Sequence, residues 1–592
     1  LAVQVAADIG HFLLERQFAA QLAETAAAKG VAEAPLREVL KRLGETEVAE
    51  AEIPDRLAKA ADELIRLRAD LERLRDDRPE FAVIRARASA LIDKGDFDTA
   101  RSALNEGRGR ARALREEADR TEAGFLAQEA RVDRLQLNYE SACAKFAEAA
   151  QLDRDNVWLW IELGDLWETR GSLVEATKAF SAARDAAARG GHDRDLAASS
   201  DRLGYMQVKR GDLTSALKSY KYVLEIAERL AKSDLGNSKR QRDLSIPYQR
   251  IGEVQVAQGD LSGALKSYSD GLAIQDRLAQ SDPTNADWQE GLSLSYEQIG
   301  DVLVAQGDLA GALTSYRDSL VIRDRLAKSD LRNAGWQRNL AVSNAKVADV
   351  EVRQGDPAKA MTRYRESLAI FDRLAKSDPG NAGWQYNLSI NNERIGDVQV
   401  AQGDLIGALA SYRAKFEIVS RLSQSDPANA GWQRDLSVSH NKIGDVQIAQ
   451  GDLTGALISY RGGLAIIDPL AQSDPGNAGW QRDLSVSYEK IGNVLVAQGD
   501  LAGALTSYRD SLAIMDPLIT SDPENAGWQR HVAVSHSKIA SVLKEMGNRA
   551  GALQSLRQSH AIMVRLTALS PDNVQWKQDL DWLASRIAEL SQ

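Results

Sequence analysis

The chain has 592 residues, of which 44% are hydrophobic and 27% charged, and 85 acidic residues against 74 basic ones give a net charge of −11. A mean hydropathy of −0.36 suits a soluble folded chain and excludes a wholly disordered one, and no apolar run approaches the ~20 residues of a membrane span. The acidic balance argues against nucleic acid as the main partner.

At about 150 residues per domain the length would allow roughly four globular domains. A single cysteine, Cys143, can form neither an internal disulfide nor a Cys-based zinc site, which fits a reducing, cytoplasmic setting. The chain opens on Leu1 without a signal-peptide pattern, and the missing Met suggests a piece of a longer protein or a processed chain.

In chain order, residues 1–80 are Ala-, Leu- and Glu-rich and read as helices. Leu64, Leu67, Leu71 and Leu74 make a stripe too short for a coiled coil, so packing against the next element is the expected use. Residues 81–190 carry short, irregular helix pairs. Gly95-Asp96, Ala100 and Leu104 mark one near 82–115, and Tyr139, Ala142, Phe146 and Ala149 mark another near 123–156. A third follows with Trp160, Leu163-Gly164, Trp167, Gly171, Ala176, Phe180 and Ala183. Residues 191–239 form a transitional unit. Gly190-Gly191 reads as a flexible loop, and Pro247 falls inside a predicted helix that it should kink, so a change of path is expected there.

From 240 to 575 the sequence repeats strictly. Trp288, Trp336, Trp384, Trp432, Trp480, Trp528 and Trp576 are each 48 residues apart. Glycines from Gly211 to Gly547, alanines from Ala216 to Ala552 and tyrosines from Tyr220 to Tyr508 keep the same interval. Four residue types in one phase define a repeat architecture. Within one unit, Trp288, Leu292, Tyr296, Ile299, Val302 and Leu303 lie on one face of a helix. Gly307 supplies a left-handed C-cap and Asp308 an N-cap for a second helix, on which Leu309, Ala312, Leu313, Tyr316, Leu320 and Leu326 face inward. Asp-Pro-Gly-Asn segments such as Asp378–Asn381 break the helix again. Gly300 and Ala312 should let the two backbones approach, with Tyr316 beside them. Pro469 and Pro517 predict kinks late in their helices. One helix pair cannot bury both of its apolar faces, so units must stack into a continuous core. Residues 576–592 should form a polar capping helix, carrying Lys577, Gln578, Asp579 and Arg586.

Tyr296, Ile299-Gly300, Leu303, Gly307-Asp308, Ala312, Tyr316 and Ser319 resemble the signature of the tetratricopeptide repeat family, and Trp160 to Ala183 match it more closely still. The resemblance covers roughly residues 82–576. The unit departs from the family's usual 34 residues by lengthening both helices, and looks like the long-helix variants of kinesin light chain and bacterial signalling proteins. The resemblance implies an all-α fold, a right-handed superhelical solenoid of antiparallel helix pairs, with partners bound on the concave face of the first helices.

That face carries Leu294, Glu297, Gln298, Asp301 and Val304 in one unit, then Val342, Lys346, Asp349 and Val352. Ile390, Glu393, Arg394, Asp397 and Val400 follow, then Val438, Asn441, Lys442, Asp445 and Ile448, then Val486, Glu489, Lys490, Asn493 and Val496. An apolar, a largely basic, a largely acidic and a second apolar row are thus expected along the groove. They could receive an extended peptide or partner protein with basic side chains. Alternatively, Lys346/Asp349, Arg394/Asp397 and Lys442/Asp445 could neutralise each other as i,i+3 pairs or between stacked units. The Trp row reads mainly as packing.

No phosphate loop, zinc-protease helix, nucleophile elbow or dinucleotide fingerprint occurs. The six histidines, His11, His192, His440, His531, His536 and His560, are not phased with carboxylates, so neither catalysis nor a metal or cofactor is expected. His440 and His536 fill the slot of Tyr296 and read as packing residues. The reading is a non-catalytic interaction scaffold. Its alternatives are the sensor arm of a larger signalling NTPase or protease-like effector, and a solenoid that self-assembles into a homo-oligomer.

Overall fold

The computed structural model describes residues 18–19, 21–45, 53–74, 78–113, 118–234 and 236–591, and every regular element among them is a helix. His11 and the start of the chain lie outside the described residues. The chain groups into two compact units, 1–322 and 323–592.

The second unit contains the pairs Ala334–Arg353/Pro357–Ser377, Ala382–Ala401/Leu405–Ser425, Ala430–Ala449/Leu453–Ser473, Ala478–Ala497/Leu501–Ser521 and Ala526–Glu545/Arg549–Leu569, then the single helix Val574–Ser591. Local chemistry sets each boundary. At the repeat's break, the Asp378 carboxylate accepts from the Gly380 N–H at 3.2 Å. Asn381 then N-caps the next helix by accepting from the Trp384 N–H at 3.0 Å. The following Gln385 donates to the Ala375 carbonyl at 3.4 Å, joining the new helix to the end of the previous one. Between the two helices of the pair, Gly403 adopts φ +79°, where a side chain would be strained. Asp404 caps the second helix through the Gly407 N–H at 2.9 Å.

The helices of a pair touch most closely where Gly396 faces the buried ring of Tyr412, since a methyl added at Gly396 would lie 2.5 Å from that ring. Gly444 with Tyr460 and Gly492 with Tyr508 repeat the contact, as do Gly300 and Tyr316 in the first unit. The Trp row is half-buried. Trp384 packs beside Ile370, Phe371 and Leu374 of the preceding pair, and Trp480 beside Ile467 and Ala471. The packing reading of these residues accounts for their position.

The first unit begins with helices Glu33–Glu45 and Ile53–Arg73 and continues through pairs from Pro79–Asp93/Phe97–Ala113 to Ser238–Ala257/Leu261–Ser281. Leu64, Leu67 and Leu71 are buried with Phe81 and Phe125, so the leucine stripe packs on the first pair. One expectation is corrected. Gly190-Gly191 is a tight junction, in which Gly191 at φ +67° closes one helix and Asp193 opens the next. Pro247, Pro469 and Pro517 lie inside helices, as the sequence places them: Ser238–Ala257, Leu453–Ser473 and Leu501–Ser521.

Candidate partner groove

The predicted groove residues of the second unit lie together on one face of the first helices. Lys346, Ile390, Glu393, Arg394, Val438, Asn441, Lys442, Val486, Glu489 and Lys490 are half-buried, while Asp397, Asp445 and Asn493 are exposed. Glu297 and Asp301 hold the equivalent positions in the first unit, half-buried and exposed respectively.

Arg394 and Lys442 pair with a neighbouring first helix and not with Asp397 and Asp445, three residues on in their own helices. In the second unit Arg394, Lys442 and Lys490 reach back to the carboxylate of the preceding pair. Arg394 meets Asp349 at 3.0 Å, Lys442 meets Asp397 at 2.6 Å and Lys490 meets Asp445 at 2.5 Å. The reason is packing of the repeat: stacked first helices bring positions 45 residues apart side by side. Each carboxylate also accepts a hydrogen bond from the hydroxyl of its own pair's tyrosine. Tyr364 donates to Asp349 at 2.6 Å, Tyr412 to Asp397 at 2.5 Å and Tyr460 to Asp445 at 2.6 Å. The cation sits beside the same ring, with Arg394, Lys442 and Lys490 at 5.9, 5.7 and 5.5 Å from the ring centroids. The tyrosine hydroxyls are driven well above their ordinary pKa: for Tyr364, Tyr412 and Tyr460 burial contributes most, and the bonded carboxylates add to it. They therefore remain hydroxyl donors.

A second ladder runs at a spacing of 49 residues. Tyr386 donates to Asp435 at 2.7 Å, Arg434 to Asp483 at 2.5 Å and Arg530 to Asp579 at 3.3 Å. Much of the groove charge is thus matched between neighbouring pairs. In the first unit the same logic places Arg202 on Asp165 at 3.1 Å and Lys209 on Glu168 at 2.7 Å. Gln298 stands in the basic row without a charge, and Glu253 of the preceding pair meets Arg250 of its own helix at 3.2 Å.

C-terminal to both charged ladders on the first helices, the second apolar row is open to solvent at three positions and half-buried at Val496. Val352, Val400 and Ile448 are 40%, 41% and 37% exposed, although they lie on helices whose opposite faces are buried.

Sequence reasoning missed several residues. Lys415 is buried in a slot that is Ser367, Gly463 or Ser511 elsewhere, and its ammonium is bound by Glu393. In the first unit, helix Ala118–Leu135 buries Glu129, Arg131 and Asp133. Arg101 and Lys145 meet Asp133 at 2.6 and 2.7 Å, and Arg131 meets Asp70 at 2.8 Å. The partners are separated along the chain, so no local spacing announces them.

Ser485 and Glu489 both approach Nε2 of His531, at 2.9 and 3.5 Å. A Ser-His-acid triad needs the acid on the other ring nitrogen, so this grouping orders the interior and does not activate a nucleophile. His440 lies edge-on to Phe416 at 4.8 Å, and burial lowers its pKa, in keeping with packing. Burial raises the pKa of the Cys143 thiol, which is therefore a poor nucleophile. Among the described residues, no group of His, Cys, Asp and Glu is arranged to hold a metal ion, and no helix is long and apolar enough to cross a membrane.

No protein-family model matches the chain, and a comparison with curated proteins gives no relative. Solved structures of helical repeat proteins are similar to it. BtubC (BKLC) from P. vanneervenii is 19% identical, with a TM-score of 0.36 over 44% of this chain and 92% of its own. The apo form of RapI is 12% identical, with a TM-score of 0.41 over 70% and 99%. The C-terminal part of a TPR repeat-containing protein from Cytophaga hutchinsonii is 16% identical, with a TM-score of 0.32 over 53% and 98%. At these values the comparison carries no argument about function. The helix pairs of the chain itself define it as an all-α repeat protein of stacked antiparallel hairpins.

Proposed function

We propose that the chain is a non-catalytic scaffold of the long-helix tetratricopeptide type, which binds a peptide or partner protein along the groove face of its first helices. The observation that carries this reading is the exposed apolar row Val352, Val400 and Ile448. Buried-face residues of a stacked repeat are explained by the fold, whereas a repeated row of solvated aliphatic side chains is not. Burying such a row on a partner is favourable by about 25 cal/mol per Å². The flanking Asp, Lys and Arg ladders are already matched within the chain. They set register and exclude wrong partners more than they supply affinity, and a basic partner side chain would share a carboxylate with Lys442 or Lys490.

The test is capture of proteins from a lysate by the intact chain and by a Val352→Asp, Val400→Asp, Ile448→Asp variant. The proposal expects capture to be lost while helical circular dichroism is retained. Unchanged capture would move the site elsewhere.

A further inference from the structure

The last pair of the second unit departs from the repeat at the groove floor. The tyrosine slot is Leu556, 48 residues after Tyr508, and the acidic slot is Ser541, 48 after Asn493. Without the hydroxyl and carboxylate, the next cation has no partner to reach back to. Arg586, 48 residues after Lys538, turns to Glu589 of its own helix at 2.8 Å and to the Trp582 ring at 5.6 Å.

A cavity of about 310 Å³ opens beside Ser541, lined chiefly by the last pair and helix Val574–Ser591. Val534, Val542, Met563 and Leu583 form its apolar walls, with Trp582 at the edge. Trp582 stands in the slot of Val438 and Val486 and is 45% exposed, so the first apolar row carries a large aromatic here. Of the charged lining residues, Arg530 and Asp579 hold each other at 3.3 Å, and Lys538 is bound by Glu489. Glu545, in a slot that is Ala449 and Ala497 in earlier pairs, is exposed and has no ion-pair partner among the described residues.

From this we infer that the cavity is an anchor pocket for an extended peptide, taking one large apolar side chain, with an adjacent Lys or Arg of the peptide meeting Glu545. The inference rests on the groove reading above and narrows it to one site and one class of partner. The volume lies at the lower end of ligand pockets, about 300–1,000 Å³, which suits a single Leu, Met or Phe side chain. The unpaired carboxylate at the rim gives the charge preference.

The repeat itself supplies the decisive variant. Ser541→Asp with Leu556→Tyr rebuilds the plug of the preceding pairs, with Arg586 positioned to complete it. Ala540 replaces the glycine that usually faces the tyrosine, but Ala348 already faces Tyr364 in this chain, so the substituted ring has a precedent. The probes are fluorescein-labelled dodecapeptides with Gly/Ser flanks and a central Leu-Lys, Ser-Lys or Leu-Glu, read by fluorescence polarisation on the full chain. The Leu-Lys peptide should bind at least about tenfold more tightly than Ser-Lys, from loss of the apolar anchor. It should exceed Leu-Glu by about fivefold, as a rim charge gives. Glu545→Gln should remove the second preference and keep the first. The plugged variant should lose binding, and Trp582→Ala, an exposed change, should weaken it if the plugged variant misfolds. Equal binding to wild type and plugged variant overturns the pocket. Failure of every peptide to bind overturns it too, while protein capture that still depends on Val352, Val400 and Ile448 would leave the groove reading standing.

Discussion

Replacing Tyr412 by Phe removes one hydroxyl and leaves the ring in place. Tyr412 is 2% exposed, and its hydroxyl donates to Asp397 at 2.5 Å. A hydrogen bond to a charged group is worth about 1.5–3 kcal/mol when its partner is left dry. The Asp397 side chain is 46% exposed, so water replaces part of the lost bond and the cost falls to about 1–1.5 kcal/mol by the same scale. Lys442 meets the same carboxylate at 2.6 Å with its side chain 32% exposed. A screened pair of this kind contributes only about 0.2–1 kcal/mol. The two substitutions therefore separate the buried and the solvated halves of one contact.

A repeat array of this length does not unfold in two states, so the assay is amide hydrogen exchange on peptides covering 382–401, 405–425 and 430–449. Tyr412→Phe should speed exchange in these helices by about tenfold, the equivalent of about 1.4 kcal/mol. Lys442→Met should give about fivefold or less, and the effect should vanish in 1 M salt because exposed charges are screened. A Lys442→Met effect as large as that of Tyr412→Phe, or no local change in either, would refute this division of the energy.

Asn429 caps its helix by accepting from the Trp432 N–H at 3.1 Å, so Asn429→Ala should cost about 0.5–2 kcal/mol, read as faster exchange confined to the first turn of 430–449. Gly396→Val should clash with Tyr412, since even a methyl there lies 2.5 Å from the ring, and overpacking of this kind costs about 1–3 kcal/mol; exchange across 382–425 reports it. Asp165 is expected to titrate at about 6 instead of 3.8, chiefly because burial outweighs the opposing charge of Arg202. Its folded pKa is raised, so its contribution to stability falls as pH climbs from about 4 to about 6. Carboxyl-carbon NMR should give that midpoint, and one near 4 would contradict the burial argument.

The helix pairs were legible because each boundary is local chemistry. Gly403, Asp404 and Asn381 act on their neighbours in sequence, and the 48-residue phase of the Trp, Gly, Ala and Tyr positions fixes the partner face. The charged residues were legible as rows, and pairing between stacked units was one of two options, but which of the two holds was not legible. Lys442 chooses Asp397 over Asp445, three residues away on its own helix, because stacking sets the distance. The constant 15-residue step from Asp397 to Tyr412 and from Asp445 to Tyr460 was available in the sequence and points to the hydroxyl donors. The buried charges of helix Ala118–Leu135 could not be read, since Asp70, Arg101 and Lys145 come from separate elements.

The central claim is that the open apolar row, rather than the matched charges, engages the partner. Quantitative mass spectrometry of proteins captured by the intact chain should compare Val352→Asp, Val400→Asp, Ile448→Asp with Ile406→Asp, Ile458→Asp, whose side chains are 81% and 68% exposed on second helices. The account predicts loss of the captured set for the groove variant and an unchanged set for the second-helix control. Loss in the control with retention in the groove variant would contradict it.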